Sequence, residues 1–282
     1  MGGVIDSTHR DLPPPKRAWI LAQSWCELLF AHWSFSPAAI RPLLPPGLML
    51  DTFGGRAWIG VVPFRMADVH PRGLPGLPGA RAFPELNVRT YVTVGELRGV
   101  YFFSLDATSK LAIAAARAWF KLPYHHARMR SERDGDVIHY SCERTAQAAG
   151  HERARAARAS RPGTSSSHTQ SEREHAPPRF EADYAPTGPV TLAEPKSLER
   201  WLTERYLLFS VAPDGRVLRG DVHHAPWPLQ PARAELRVNT MLEPLGLELP
   251  GPPESLLYAE RVDVQTWSPR TAYRPVSAGR RE

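Results

Sequence analysis

Two Asp-Gly turns constrain the fold of this chain more than any other feature of its sequence. They lie in "RDGD" at 133–136 and "PDGR" at 213–216, and runs of β-forming residues flank each of them. Asp-Gly suits the two-residue turn of a hairpin, so both sites predict antiparallel strand pairs. The 29 prolines among 282 residues disfavour long helices. The sequence therefore predicts a mostly β fold of the α+β class.

Nine segments have the composition and alternation of β-strands. They are 19–30, 56–64, 85–94, 99–105, 124–131, 137–144, 206–211, 216–222 and 256–266. Three helices are predicted. An Ala-rich helix covers 108–120 and stops before Pro123, another covers 198–205 after an N-cap at Ser197, and a short one covers 37–44.

One domain is predicted over 17–269. The segment 145–178 contains no Leu, Ile, Val, Met or aromatic residue, so we expect a disordered, basic insertion there. Residues 1–16 are expected to form a disordered N-terminal tail, and residues 270–282 a loose C-terminal one.

The charge and the cysteines limit the classes of partner and compartment. The net charge of +6 resides in 1–20, 145–178 and 265–282, mainly in the predicted tails and insertion rather than on one folded face, so no nucleic-acid partner is predicted. Cys26 and Cys142 form no CxxC pair, and no signal peptide or run of 18 apolar residues occurs. We expect a soluble cytoplasmic protein with no membrane contact, and no oligomeric state is predicted.

The adjacent histidines in "FKLPYHHARM" fall on opposite faces of a predicted strand, because side chains alternate along a strand. His125 shares its face with Ala127 and Met129 and is expected to point inward, whereas His126 shares the outer face with arginines. Ligands must converge on one ion at about 2 Å, so the pair is not predicted to bind a metal. An inward His125 is either a catalytic group or a hydrogen-bonded core residue.

The strand "PELNVRTYVTV" presents Glu85, Asn87, Arg89 and Tyr91 on one face. This face is either solvated or the lining of a cavity. In a cavity, the carboxylate and the guanidinium would bind a polar ligand, and burial would raise the pKa of Glu85.

Other candidates stand alone. His32 and Trp33 in "FAHWSF" line a cavity or belong to the core, and "DVHHAPWPL" offers one inward histidine and Trp227. A histidine metal site assembled by folding is an alternative: His32, His125 and either His223 or His224. HExxH, GxSxG, P-loop and GxGxxG motifs do not occur, so no metal and no cofactor is predicted.

Several segments together resemble the YqjF-like family of uncharacterised bacterial proteins. They include "HWSFSPAAIRPLLPPGLMLDTFGGRAWIGVVPFRM", "FPELNVRTYV", "ARAWFKLPYHHARM" and "LERWLTERYLLF", within roughly 19–235. That family is similar in turn to the acetoacetate decarboxylase superfamily. The resemblance implies a closed antiparallel β barrel with a few helices around a small-molecule pocket.

The resemblance also implies which chemistry is missing. In the decarboxylases a helical arginine precedes a proline that two lysines follow, and the first lysine forms a Schiff base. Here Arg117 and Pro123 match, but Tyr124 and His125 occupy the lysine positions, and Lys121 is offset. A Schiff base requires a primary amine, so that chemistry is not expected. One pocket glutamate corresponds to Glu85, whereas the other falls near Gly60 and has no counterpart.

Two functions follow as hypotheses. In the first, the protein is an enzyme acting on a small organic acid or carbonyl compound: Glu85 or His125 is the acid or base, Tyr124 donates to a developing oxyanion, and Arg89 or Arg117 holds an anionic group. In the second, the protein binds a small molecule without chemistry. The remaining candidate ligand-binding residues are Asn87, Tyr91, His32, Trp33 and Trp227.

Overall fold

The computed structural model of the chain describes residues 7–10, 12–76, 82–145 and 176–275. Within these ranges, thirteen β-strands form one sheet. They are β1 (Leu21–Phe35), β2 (Met49–Leu50), β3 (Ala57–Pro71), β4 (Phe83–Val94), β5 (Leu97–Ala107), β6 (Tyr124–Asp134), β7 (Val137–Arg144), β8 (Arg179–Pro186), β9 (Leu207–Val211), β10 (Val217–His223), β11 (Leu229–Asn239), β12 (Ser255–Thr266) and β13 (Arg270–Tyr273). The helices are α1 (Pro37–Ile40), α2 (Lys110–Phe120) and α3 (Leu198–Thr203), with 3-10 turns at Arg41–Leu43 and Glu243–Leu245.

The sheet has the order β13-β10-β9-β5-β6-β7-β8-β11-β12-β1-β3-β4-β2. Two further pairings, β4 with β5 and β10 with β12, join strands that lie far apart in this order. Because paired strands lie only about 5 Å apart, the sheet must curve strongly to make both contacts. The sheet is mostly antiparallel, and the exception is β5, which runs parallel to both β6 and β9. A parallel pair requires a crossover connection, and α2 provides the one between β5 and β6.

All nine predicted strands and all three predicted helices are present, with shifted ends. Both hairpins are confirmed: Gly135 and Gly215 have φ of 58° and 81°, and they connect β6 to β7 and β9 to β10. The N-cap is confirmed as well, because Ser197 Oγ accepts from the backbone N–H of Arg200 at 3.1 Å. The prediction missed β8 and β11, together with the short β2 and β13.

Most of the predicted insertion, residues 146–175, lies outside the described residues, as do 1–6, 11 and 276–282. The described parts of the two predicted tails are built into the fold. Arg10 is buried against Tyr206, and β13 pairs with β10. No helix in the described ranges combines the length and the apolar character needed to cross a membrane.

β1 is buried on both faces, and this divides the core. Trp33 packs on one side with Tyr140 and Phe180. Phe30 packs on the other side with Trp227 and residues of β3, β5 and α2. Alternation along β1 thus sends neighbouring aromatic side chains into separate clusters, of which the second borders the pocket described next.

Candidate functional site

A pocket of about 140 Å³, hereafter the inner pocket, lies between the curved sheet and α2. Its walls are mostly apolar. They include Leu28 of β1, Val62, Phe64 and Met66 of β3, Val100, Phe102 and Leu105 of β5, Ala116 and Phe120 of α2, and Trp25, Leu122 and Trp227. The polar lining groups are Gln23, Glu85, Asn87, Arg89, Tyr124, Thr203, Arg205, His224 and Thr266.

The polar face of β4 turns into this pocket. Glu85, Asn87 and Arg89 alternate along the strand, line the pocket and are only 3%, 6% and 8% exposed. Burial of all three excludes the solvated-face interpretation of "PELNVRTYVTV".

Glu85 forms a hydrogen-bonded pair with Tyr124 at the start of β6. The phenol donates to Glu85 Oε2 at 2.9 Å, and none of the described residues hydrogen-bonds to Oε1. Burial raises the pKa of Glu85 to about 8, although the hydrogen bond from Tyr124 acts in the opposite direction and Asp106 adds to the rise. Burial and the neighbouring Glu85 also hold the pKa of Tyr124 well above its ordinary value. Glu85 is therefore mostly protonated at pH 7, with one oxygen available for a ligand.

Arg117 contacts the backbone of Tyr124 and does not line the pocket. Its Nε donates to the backbone carbonyl of Tyr124 at 2.8 Å, and its Nη2 donates to the same oxygen. The guanidinium thus ties the end of α2 to the start of β6. The structure gives Arg117 a role in placing Tyr124 rather than a contact with a pocket ligand.

Arg89 brings positive charge to the inner pocket. Its Nη2 donates to Leu202 O at 3.2 Å, and its guanidinium lies 5.3 Å from the centre of the Phe30 ring. No carboxylate among the described residues pairs with it, and its Nε has no acceptor there. Asn87 Oδ1 likewise has no donor in the described part of the chain. A buried guanidinium with an unsatisfied N–H and a buried amide oxygen without a donor are costly unless a ligand satisfies them.

His32 and Tyr91 are hydrogen-bonded to each other next to Arg89, and neither residue lines the pocket. Tyr91 Oη donates to Leu202 O at 2.9 Å and lies 2.7 Å from His32 Nε2, so the histidine must donate to the phenol. Burial and Arg89 hold the pKa of His32 well below its ordinary value, which keeps the ring neutral. A Cβ at Gly60 would approach His32 Nε2 to 2.8 Å. The imidazole therefore occupies the space that a glutamate at this position would need.

His125 and Trp33 are also outside the pocket lining. His125 is buried on the face of Ala127, as predicted, and His126 lies on the outer face. Trp33 belongs to the other core cluster, where its Nε1 donates to Gly251 O at 2.9 Å. Of the predicted site residues, the inner pocket thus brings together Glu85, Asn87, Arg89, Tyr124 and Trp227.

The sequence did not place Trp25, Arg205 or His224 in a ligand pocket, although all three line the inner pocket. His223 and His224 are both buried, and of the two only His224 lines the inner pocket. Burial lowers the pKa of His224 to about 4. The centre of its ring lies 5.0 Å from the centre of the Trp227 ring and 4.7 Å from that of the Tyr206 ring. The "HH" pair was the available signal for His224. Arg205 follows α3, and nothing in the local sequence indicates that it points inward.

The described residues do not place the groups needed for a Schiff base or for a histidine metal site at the inner pocket. No lysine lines the inner pocket among the described residues, and Lys121 Nζ donates to Ala118 O at 2.6 Å on the exposed C-terminal end of α2. The described ranges also hold no group of three or more His, Cys, Asp or Glu residues placed to bind a metal, so the site of His32, His125 and His223 or His224 is not assembled.

Comparison with known proteins places the chain in a family. The uncharacterized protein YqjF of Bacillus subtilis (strain 168) is 41% identical over 259 residues, which cover 92% of this chain and 95% of the relative. Acetoacetate decarboxylase from Legionella pneumophila has a TM-score of 0.55 at 13% identity, covering 93% and 92% of the two chains. The enduracididine biosynthesis enzyme MppR complexed with pyruvate has a TM-score of 0.56 at 13% identity, covering 94% and 93%.

The two solved structures show that the fold is like that of acetoacetate decarboxylase. Residues 22–263 match DUF2071, described as an uncharacterized conserved protein. This chain therefore belongs to the DUF2071 family, together with YqjF.

Proposed function

We propose that the inner pocket binds a small organic acid or carbonyl compound and that Glu85 exchanges a proton with it, without a Schiff base. The observation that carries the proposal is the buried Glu85 carboxyl, whose pKa is raised to about 8 while Tyr124 holds one of its oxygens. A carboxyl group with a pKa near neutrality supplies both its acid and its base form at physiological pH.

The pairing pattern supports an enclosed site. Strand contacts can be followed from β4 through β3, β1, β12, β10 and β9 to β5, which pairs with β4 again, and each of these strands contributes residues to the pocket lining. We infer that this circuit closes around the inner pocket like a barrel. Enclosure excludes water and strengthens the electrostatic interactions of Glu85 and Arg89 with a ligand.

The size and charge of the pocket define the ligand class. A cavity of about 150 Å³ holds a molecule the size of benzene, so a pocket of 140 Å³ suits a compound of about six non-hydrogen atoms. Arg89 has no carboxylate partner among the described residues and would bind a carboxylate or a developing enolate oxygen. The resemblance to MppR, whose structure contains pyruvate, is consistent with a ligand of this size.

The reaction is a proton transfer next to a carbonyl group. Ionised Glu85 takes a proton from the carbon beside the carbonyl, the electron pair of that C–H bond moves into the enolate, and Arg89 stabilises the negative oxygen. Return of a proton from Glu85 restores the ligand. Tyr124, whose hydroxyl proton is directed to Glu85 Oε2, positions the carboxyl rather than the oxyanion.

Deuterium exchange tests this proposal without knowledge of the product. Pyruvate is incubated with the protein in D₂O, and loss of its methyl proton signal is followed by NMR. We expect exchange above background that rises through pH 8 and disappears in Glu85→Gln. The control is Glu132→Gln, which changes an exposed carboxylate and should leave exchange intact. Equal rates with wild-type protein, Glu85→Gln and no protein would refute proton transfer by Glu85.

A binding protein without chemistry is the second candidate, and the apolar walls of the inner pocket favour it. Native mass spectrometry of the purified protein would detect a retained small molecule. Retention that is equal in wild-type protein and Glu85→Gln, combined with an absence of deuterium exchange, would favour this candidate over the enzyme.

A further inference from the structure

A second and larger pocket, hereafter the outer pocket, lies on the other side of Arg205. Its volume is about 770 Å³, and Arg205 and Leu207 line both pockets. Its walls come from residues before β1, the β4–β5 turn, the loop after β2, and α3 with its flanks. It shares no other lining residue with the inner pocket, so its chemistry can be examined independently of Glu85.

The lining of the outer pocket carries an excess of positive charge. The basic residues are Arg10, Arg98, Lys196, Arg200 and Arg205, and the acidic ones are Glu96 and Glu204. Asp51 pairs with both Arg98 and Arg205, at 3.1 and 2.8 Å. Arg10, Lys196 and Arg200 have no carboxylate within ion-pair distance among the described residues.

Neutral groups hold two of these cations in place. Arg10 Nη1 donates to Val222 O at 3.2 Å and to His223 Nδ1 at 3.1 Å, and its guanidinium lies 4.4 Å from the centre of the Tyr206 ring. Nε and Nη2 of Arg10 have no acceptor in the described part of the chain, although the residue is only 7% exposed. Arg200 Nη2 donates to His9 O at 2.8 Å. These contacts orient the guanidinium groups, and neither group has a carboxylate within ion-pair distance among the described residues.

Aromatic side chains complete the walls. Phe53, Trp201 and Tyr206 line the outer pocket, and the guanidinium of Arg205 lies 4.4 Å from the centre of the Trp201 ring. Guanidinium groups are suited to binding phosphate, and several of them around one pocket match a charge greater than that of a single carboxylate. The volume exceeds what a bare phosphate needs, which leaves the aromatic walls for an organic moiety.

We propose that the outer pocket is a binding site for an organic phosphate, with Arg10, Lys196 and Arg200 as its cationic groups. Arg205 separates this site from the inner pocket and faces both. A ligand in the outer pocket therefore lies next to any compound held beside Arg89. This site goes beyond the proton transfer proposed for Glu85 and does not depend on it.

Titration with inorganic pyrophosphate tests the site. Binding is measured by calorimetry and by tryptophan fluorescence, since Trp201 lies in the wall of the outer pocket. Loss of one charge-assisted contact weakens binding by about tenfold or more, which we expect for Arg10→Gln. Lys196→Gln changes an exposed side chain that pairs with no carboxylate among the described residues, and it should weaken binding while leaving the fold intact. Arg233→Gln on the exposed face of β11 removes the same charge elsewhere and should bind like wild-type protein.

The outcomes separate this proposal from that for the inner pocket. Glu85→Gln should retain pyrophosphate binding, and Arg10→Gln should retain its melting transition. If Arg10→Gln fails to fold, Lys196→Gln decides the matter. The proposal is overturned if pyrophosphate does not bind to wild-type protein at millimolar concentration, or if Lys196→Gln and Arg233→Gln bind it equally well.

Discussion

Replacement of Glu85 by glutamine should change how the stability of the protein depends on pH. The folded protein keeps the Glu85 proton up to about pH 8, whereas the unfolded chain loses it near the ordinary value of 4.5. Between these values the unfolded state binds fewer protons than the folded state. The free energy of unfolding must therefore fall as the pH rises from 4.5 to 8 and then level off.

The magnitude follows from the difference between the two pKa values. Each unit corresponds to about 1.36 kcal/mol, so Glu85 lowers the stability by about 3 kcal/mol at pH 7 and by about 4–5 kcal/mol at pH 8 and above. Glutamine has nearly the same shape, keeps an oxygen that accepts from Tyr124, and carries no charge at any pH. We expect Glu85→Gln to gain stability over wild-type protein as the pH rises, up to that difference.

Equilibrium urea unfolding at pH 5, 6, 7, 8 and 9, followed by tryptophan fluorescence, measures the effect. The relevant quantity is the difference between the two proteins, because His32 and His224 have lowered pKa values and act with the opposite sign below pH 6.5. Glu132→Gln, at an exposed position, should follow wild-type protein at every pH. Parallel profiles for wild-type protein and Glu85→Gln would refute the raised pKa and, with it, the basis of the proposed proton transfer.

Three further substitutions probe the same region. Tyr124→Phe removes a hydrogen bond that lowers the pKa of Glu85, so that pKa should rise, and the free energy of unfolding should fall by about 1–3 kcal/mol. Carbon NMR of labelled glutamate measures the pKa, and an unchanged value would contradict the pairing. Gly60→Ala places a methyl group 2.8 Å from His32 Nε2 and should lower the free energy of unfolding by about 1–3 kcal/mol, and by less in a His32→Ala background. Additive effects of the two substitutions in the double-mutant cycle would argue against the contact. The pKa of His224 is about 4 in the folded protein and 6.5 ordinarily, so its contribution to the free energy of unfolding is lost as the pH falls between these values, by about 3 kcal/mol at pH 4. His224→Gln should remove this loss of stability in acid, and the same acid sensitivity with and without His224 would contradict the lowered pKa.

The local sequence determined much of the fold. The Asp-Gly turns, the Ser197 cap and the alternation of β4 and β6 each predict a structure that is present. These signals depend on backbone preferences and on neighbours a few residues away, so they can be recognised without the rest of the chain. β8 was missed because it follows directly after the polar insertion, and β11 because Pro231 lies near its start.

The tertiary structure alone decided which face of β4 is buried. Alternation predicts that Glu85, Asn87 and Arg89 share a face, but that face meets a pocket only because β5, α2 and the segment after α3 fold over it. The same long-range contacts direct Arg117 to the backbone of Tyr124 and bring Arg205 and His224 to the pocket. The direction of a side chain relative to its strand is a local property, whereas burial depends on segments distant in sequence. The alternating residues thus specified the acid-base candidates, and only the packing of the sheet placed Glu85 out of water and raised its pKa.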